Sequence, residues 1–293
     1  MFIDILGAES RGVRGLCCVV EVQDRKIVID PGLALGYQRE CLLPHPAQVA
    51  VGEQVRWRIA AALEGATDLV LSHFHGDHVP LPDANPYQLP ARAVASLCRT
   101  SRLWAKGIEG LSSHMVQRRT ALSEALEREM PDAEGRGDGV LAFSPSVPHG
   151  RPNTHLGTVM MTRIEGDGVV FVHASDIQLL DEEAVSLIVD WRPDVTLVGG
   201  PPLYLSSLSP EDRAAAWANA RRLARHVESL ILDHHLLRSE EGLDWLQRLS
   251  SETGRQVFCA AGYLGRPRCL LEARRRQLYQ EMPVPEGWHE AYA

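Results

Sequence analysis

Ten residues constrain this chain more than any other stretch: Val70-Leu-Ser-His73-Phe-His75-Gly-Asp77-His78-Val79. The apolar run Leu69-Val70-Leu71 reads as a short buried strand. Directly past its end, three imidazoles and a carboxylate fall within six residues. Neutral imidazole and carboxylate are the usual ligands of zinc and related divalent ions. A strand fixes where the loop begins, so the spacing H-x-H-x-D-H sets its ligands on a rigid base. A polar surface loop that happens to be rich in histidine does not account for that spacing.

The remainder of the chain is large enough to support such a site. Its 293 residues are 45% hydrophobic and 23% charged, an ordinary globular composition. Lys and Arg number 30 against 38 Asp and Glu, for a net charge of -8. That acidic balance argues against general nucleic-acid binding, while leaving room for a local basic patch. None of the cysteines at 17, 18, 41, 98, 259 and 269 forms a C-x-x-C pair. They read as reduced thiols of a cytoplasmic protein, with Cys17 and Cys18 on opposite faces of one strand. The N-terminus lacks the basic and apolar regions of a signal peptide. No run reaches the roughly 18–20 apolar residues of a membrane span.

Strands are expected at 2–6, 15–21, 26–29, 68–71, 141–147, 157–164, 169–172, 195–198, 230–233 and 256–260. Helices are expected at 52–64, 182–190, 210–227, between Ser239 and Gly254, and at 270–282. Ser209-Pro210 is a clear helix start, with a capping serine and proline in the first turn. Strand, helix and strand in succession up to residue 71 imply a parallel or mixed sheet covered by helices. Between 79 and 140 the pattern changes. Prolines at 80, 82, 86 and 90 keep the first part irregular, and 101–129 has helical periodicity through Leu103, Trp104, Ile108, Leu111, Met115, Leu122 and Leu126. This segment reads as a helical insertion within a single domain spanning 1–293. It either packs as a helical layer or roofs the site.

Further chemistry-bearing residues also follow strands. Asp30 in Asp30-Pro31-Gly32 is either plain turn chemistry or a carboxylate behind a metal-binding histidine, orienting its ring. His149, Asp176 and the pair His234-His235 each come just after a short apolar run. With His73, His75, Asp77 and His78 they exceed what one tetrahedral ion needs, and suit two metals sharing a bridging carboxylate. His173 reads as closing its strand rather than as a ligand. His45, His114, His155, His226 and His289 have no partner pattern and read as surface or structural. The arginines at 221, 222, 225 and 274–276 read as solvated helix faces.

Taken together, these residues resemble the metallo-β-lactamase-fold superfamily over most of the chain. Asp30 matches its first motif, His73-x-His75-x-Asp77-His78 the second, His149 the third, Asp176 the fourth and the Asp-His-His histidine the fifth. The resemblance implies an α/β fold, an αββα sandwich of two mixed β-sheets flanked by helices. It also implies two metals on one edge: His73, His75 and His149 on one, Asp77, His78 and the last histidine on the other, Asp176 between them. In the nuclease branch that matures tRNA 3′ ends, the last ligand has an arginine four residues on. His234 with Arg238 fits that pattern, leaving His235 to face the substrate.

The details Ala8-Glu-Ser-Arg-Gly-Val-Arg14, Gly199-Gly-Pro-Pro202 and Asp233-His-His-Leu-Leu-Arg238 are similar to one uncharacterised, mainly archaeal branch, often described as predicted metal-dependent ribonucleases. His75 stands where the diiron flavoprotein branch has glutamate. Too little chain lies between Asp176 and His234 for the large cap domain of some nucleases, and the glyoxalase-like P-G-H-T pattern is absent.

The implied chemistry is attack by metal-activated water on an ester, amide or phosphoester. Asp77 and Asp176 are the candidates to orient the nucleophile. His235 and Tyr204, where they reach the cleft, are candidates to donate a proton or a hydrogen bond to the leaving group. Two divalent ions are expected, zinc first, with iron or manganese as alternatives. The substrate expected is a small metabolite. A phosphodiesterase or ribonuclease acting on nucleic acid and an iron-dependent oxygenase on the same ligands are the other readings.

Overall fold

The computed structural model describes residues 1–152 and 154–292, without the side chain of Ala291. Two sheets form the centre. The first runs in the order β1 (Phe2–Ile5), β2 (Cys18–Val22), β3 (Arg25–Ile29), β4 (Asp68–Leu71) and β5 (Arg102–Ala105). Its first three strands are antiparallel neighbours, while β3, β4 and β5 are parallel. The second half of the chain supplies β6 (Leu141–Phe143), a two-stranded ribbon of β7 (Val147–Pro148) and β8 (Thr158–Val159), then β9 (Thr162–Gly166), β10 (Val169–His173), β11 (Val195–Val198), β12 (Ser229–Leu232) and β13 (Val257–Phe258). The second sheet has the order β13-β12-β11-β10-β9-β6, with β10 to β13 parallel.

Strand alternation sorts the apolar side chains into three layers. Between the sheets, Ile27, Ile29 and Val70 of the first meet Leu141, Phe171, Leu197 and Ile231 of the second. On the outer face of the first sheet, Val28, Leu69, Leu71 and Leu103 pack under α1 (Pro46–Leu63) and α2 (Ser113–Leu126). Outside the second sheet, Val172, Val198, Leu230 and Leu232 pack under α3 (Glu182–Asp190), α4 (Pro210–His226) and α5 (Glu241–Thr253). Two short helices, α6 (Ala260–Tyr263) and α7 (Arg275–Glu281), follow. The architecture is the expected αββα sandwich. β4 is buried on both faces, which is why it reads as an unbroken apolar run. Cys17 and Cys18 fall in different layers, as their adjacency requires.

Several expected boundaries move. α1 begins at Pro46, not 52: Nδ1 of His45 accepts the Ala47 amide, and the Gln48 side chain accepts the His45 amide. Histidine is an uncommon cap, so this start carried no familiar signal. Residues 101–129 are not one helix. Arg102–Ala105 is a strand paired in parallel with β4, and the helix starts only at Ser113, capped by Ser112. The segment 79–140 therefore contributes to the first sheet as well as carrying a helix. The strand expected from 15 starts at Cys18, and the helix expected over 270–282 is regular only from Arg275.

Parallel strands end on a common edge. Asp30 follows β3, the His73–His78 loop follows β4, and Asp176 and His234 come after β10 and β12. On the opposite edge, buried Asp68 at the start of β4 is held by Arg25 Nε at 2.9 Å, Trp104 Nε1 at 2.8 Å and Thr67 Oγ1 at 2.7 Å. The strand starts are pinned there, so the C-terminal edge inherits a fixed register.

Candidate metal centre

Asp176 lies at the middle of that edge. Its Oδ2 is 2.7 Å from His149 Nε2, 3.5 Å from His73 Nε2, 3.7 Å from His75 Nδ1 and 3.5 Å from His78 Nε2. Its Oδ1 is 3.0 Å from His234 Nε2 and 3.2 Å from His235 Nε2. His73 Nε2 and His75 Nδ1 are 3.0 Å apart. On the other side His78 Nε2 is 3.4 Å from His234 Nε2, which is 3.5 Å from Asp77 Oδ2. The structure thus gathers every candidate ligand from seven positions scattered over 160 residues. Four overlapping groups result: His73, His75, His149 and Asp176; Asp77, His78 and His234; Asp176, His234 and His235; and Asp30, His73 and His78.

These separations fit an ion. With bonds of about 2.0–2.2 Å, atoms at the corners of a tetrahedron stand about 3.3–3.6 Å apart. The contacts above scatter around that value, and several pair two nitrogens, which hydrogen bonding satisfies only in part. Asp176 Oδ1 is buried yet receives no well-aligned hydrogen bond, and His235 Nδ1 likewise has none. Leaving a buried carboxylate oxygen without a donor is costly, so a cation is its natural complement.

Charge divides the donors. Burial works against the charges of Asp77 and Asp176, but His78 and His234, with Arg238 on Asp77 and His235 on Asp176, hold both well below the usual carboxylate range. His78 is pushed the other way: despite burial, Asp176, Asp30 and Asp77 hold its pKa well above that of a free imidazole. Burial keeps His73 down at about 3 and His234 at about 4, and lowers His149 and His235 too. Neutral imidazoles are the form that binds metal.

Groups behind the donors orient them. Asp30 Oδ2 is 3.0 Å from His78 Nδ1, and its Oδ1 accepts the Ser72 amide at 2.8 Å. Ser72 Oγ lies 2.6 Å from Asp30 Oδ2, 2.9 Å from His73 Nδ1 and 2.6 Å from Ser175 Oγ. Of the two readings of Asp30, turn residue and orienting carboxylate, its geometry serves both. It has φ of 49° just past β3, and Ser175 and His234 also take left-handed backbone at 52° and 43°. Three non-glycine residues in that region at one edge is strain of the sort found at functional sites.

The tandem histidines do not separate into one inward and one outward residue. Both reach Asp176, and His235 Nε2 is also 3.3 Å from His149 Nε2. The Gly15 amide donates to His234 Nδ1 at 3.2 Å. Arg238 touches His234 Nε2 at 2.8 Å and Asp77 Oδ2 at 3.1 Å. Tyr204 Oη stands 3.2 Å from Arg238 Nη1, one guanidinium away from the donors. Glu9 accepts from Arg238 Nε at 2.9 Å, and burial pushes its carboxyl up to about 8. Glu9 and Ser72 lie in stretches singled out in the sequence, but neither stood out as a site residue, because Glu9 acts through Arg238 and Ser72 through Asp30 and Ser175, remote in the chain, as well as through adjacent His73. His173 closes β10 as expected, its Nε2 facing the Leu16 carbonyl at 2.9 Å. The site opens on the side of His75 and Asp77, whose side chains are 25% and 17% exposed.

Known proteins share this architecture. Tm1679, a metal-dependent hydrolase of the β-lactamase superfamily, superposes with a TM-score of 0.51 at 12% identity, covering 88% of this chain and 94% of its own. CmlA, a diiron β-hydroxylase from Streptomyces venezuelae, gives a TM-score of 0.50 at 11% identity over 88% of this chain and 52% of its own. The fold is therefore that of the metallo-β-lactamase superfamily.

Sequence relatives narrow the placement. The chain is 50% identical over 292 residues to a UPF0282 protein of Methanosarcina mazei, spanning 100% of this chain and 96% of that one. It is 35% identical over 288 residues to a UPF0282 protein of Methanopyrus kandleri, spanning 94% and 98%. The protein belongs to the UPF0282 family. Its relatives carry that name and no ribonuclease name. No family model matches the chain.

Proposed function

We propose that this protein is a dinuclear metal-dependent hydrolase acting on an ester, amide or phosphoester, with a small metabolite as substrate. The observation that carries the reading is Asp176, whose two oxygens face imidazoles from both halves of the cluster. In it His73, His75 and His149 would hold one divalent ion and Asp77, His78 and His234 a second, with Asp176 within reach of both groups. Zinc is favoured by the nitrogen-rich donor set, with iron or manganese as alternatives. When bound, such ions would supply a deprotonated water at neutral pH and stabilisation of charge on the attacked oxygen.

The chain's own groups do the rest. Asp77 and Asp176, both held ionised, orient the nucleophilic water. His235 lies beside Asp176 with Nδ1 unpaired and, held neutral by burial, gives a hydrogen bond to the leaving group. Tyr204, whose Oη lies 3.2 Å from Arg238 Nη1, offers a hydrogen bond. A net charge of -8 favours a small molecule over nucleic acid, with the ribonuclease reading as the alternative. A cytoplasmic location accords with six free cysteines, and no described helix is long and apolar enough to cross a membrane.

The test is metal analysis of natively purified protein combined with a panel of p-nitrophenyl esters, an amide and bis(p-nitrophenyl) phosphate. Hydrolysis that disappears in Asp77→Ala supports the reading. A second reading, an iron-dependent oxygenase on the same donors, has the fold likeness to CmlA in its favour. Iron with oxygen consumption and no hydrolysis would replace the first reading by the second.

A further inference from the structure

The two halves of the cluster differ in their surroundings. Around His73, His75 and His149 the hydrogen-bond partners are serines, a glutamine, other histidines and Asp176. The other half has a guanidinium against it. Arg238 Nη2 is 3.1 Å from Asp77 Oδ2 and 2.8 Å from His234 Nε2, two of the three donors there. Arg238 is only 7% exposed and is held on its far side by Glu9 at 2.9 Å and Tyr204 at 3.2 Å. It ends a single 3-10 turn, Leu236–Arg238. A guanidinium does not give up its proton in a protein. A full positive charge therefore stands beside these donors, repelling a divalent ion and directing an N–H at an Asp77 oxygen the ion would use.

We propose that Arg238 makes the two ion positions unequal. The position formed by His73, His75, His149 and Asp176 binds one divalent ion tightly. The position formed by Asp77, His78 and His234 binds a second at least tenfold more weakly, and Arg238 sets that difference. A chain with this arrangement responds to the supply of free metal, because the second ion is gained and lost over a range in which the first stays bound. The inference rests on the two-ion reading above.

The experiment is a titration of metal-stripped protein with Zn²⁺ against a competing chromophoric chelator, repeated with Co²⁺ so that each ion reports its own absorption spectrum. The wild type is expected to bind in two steps, one ion per chain and then a second at least tenfold weaker. In Arg238→Met the second step tightens at least tenfold while the first stays where it was. Arg238→Lys keeps the charge and the weak second step. Thermal unfolding establishes that each variant is folded; should Arg238→Met not fold, the wild-type titration and Arg238→Lys decide. Equal affinities in the wild type would overturn the proposal, as would an unchanged ratio in a folded Arg238→Met that binds both ions. A tightened second step in Arg238→Lys overturns the charge argument. A folded wild type that binds no ion at all instead removes the metal-centre reading on which the proposal stands.

Discussion

Asp30 Oδ2 and His78 Nδ1 lie 3.0 Å apart, and both side chains are wholly buried. The contact turns the far nitrogen of His78 toward Asp176 and His234. Burial works against the Asp30 charge, but the His78 hydrogen bond and charge, with His173 and His73 nearby, hold its pKa at about 2. Carboxylates that orient a metal-binding histidine in this manner are worth roughly 10–100-fold in metal affinity. Asp30→Asn is expected to lose about that much at the position that includes His78, while remaining folded. Equilibrium dialysis with Zn²⁺, alongside circular dichroism, measures it.

Gly32 supports the same loop by having no side chain. A Cβ there would stand 2.3 Å from the His78 carbonyl carbon and the Val79 nitrogen, both backbone atoms that cannot rotate aside. Gly32→Ala is expected to destabilise by about 1–3 kcal/mol, the usual cost of overpacking, and to weaken metal binding with it. Gly168 makes a fair control. Its φ of 74° is left-handed, but nothing lies within 4 Å of an added Cβ. Gly168→Ala should cost about 1 kcal/mol through the backbone alone and leave metal binding intact. Urea unfolding of the two variants, with metal content measured beside it, separates steric displacement of the loop from a general loss of stability.

Strand ends explain which parts of this molecule were legible in its sequence. The run Asp68–Leu71 followed by H-x-H-x-D-H located β4 and its loop, because a strand buried on both faces must be apolar throughout. Asp30, Asp176 and His234 were picked out by the same logic, each just after a strand. Which sheet edge each strand pointed to was not in the local pattern; it follows from parallel pairing of β3 with β4 and of β10 with β12 through β11. β5 was misread as helix because Leu103, Trp104, Ile108 and Leu111 fit a helical period over a window longer than the four-residue strand. The choice between His234 and His235 was framed too sharply: left-handed backbone at His234 brings both rings to Asp176.

The edge away from the site sets an acid limit on stability. Burial of Asp68 works against its charge, but hydrogen bonds from Arg25, Trp104 and Thr67 outweigh it, so its pKa is lowered. A carboxylate depressed in the folded state adds stability above its unfolded pKa, near 4, and that stability drains away as pH falls below it. The wild type should therefore lose thermal stability progressively below about pH 4. Asp68→Asn should be less stable than wild type at pH 7, with the gap narrowing toward pH 3. Melting curves from pH 7 to pH 3 check this, and parallel profiles for the two proteins would count against it.

The most direct test of the central claim is the metal content of the folded protein. Purified without chelator, supplied with excess Zn²⁺ and then desalted, the wild type is predicted to carry more than one divalent ion per chain by elemental mass spectrometry. Asp176→Ala, which removes the carboxylate between the two groups of histidines, is predicted to retain its fold and lose both ions. A folded wild type that emerges with no bound divalent ion, or an Asp176→Ala variant that keeps the full complement, would contradict it.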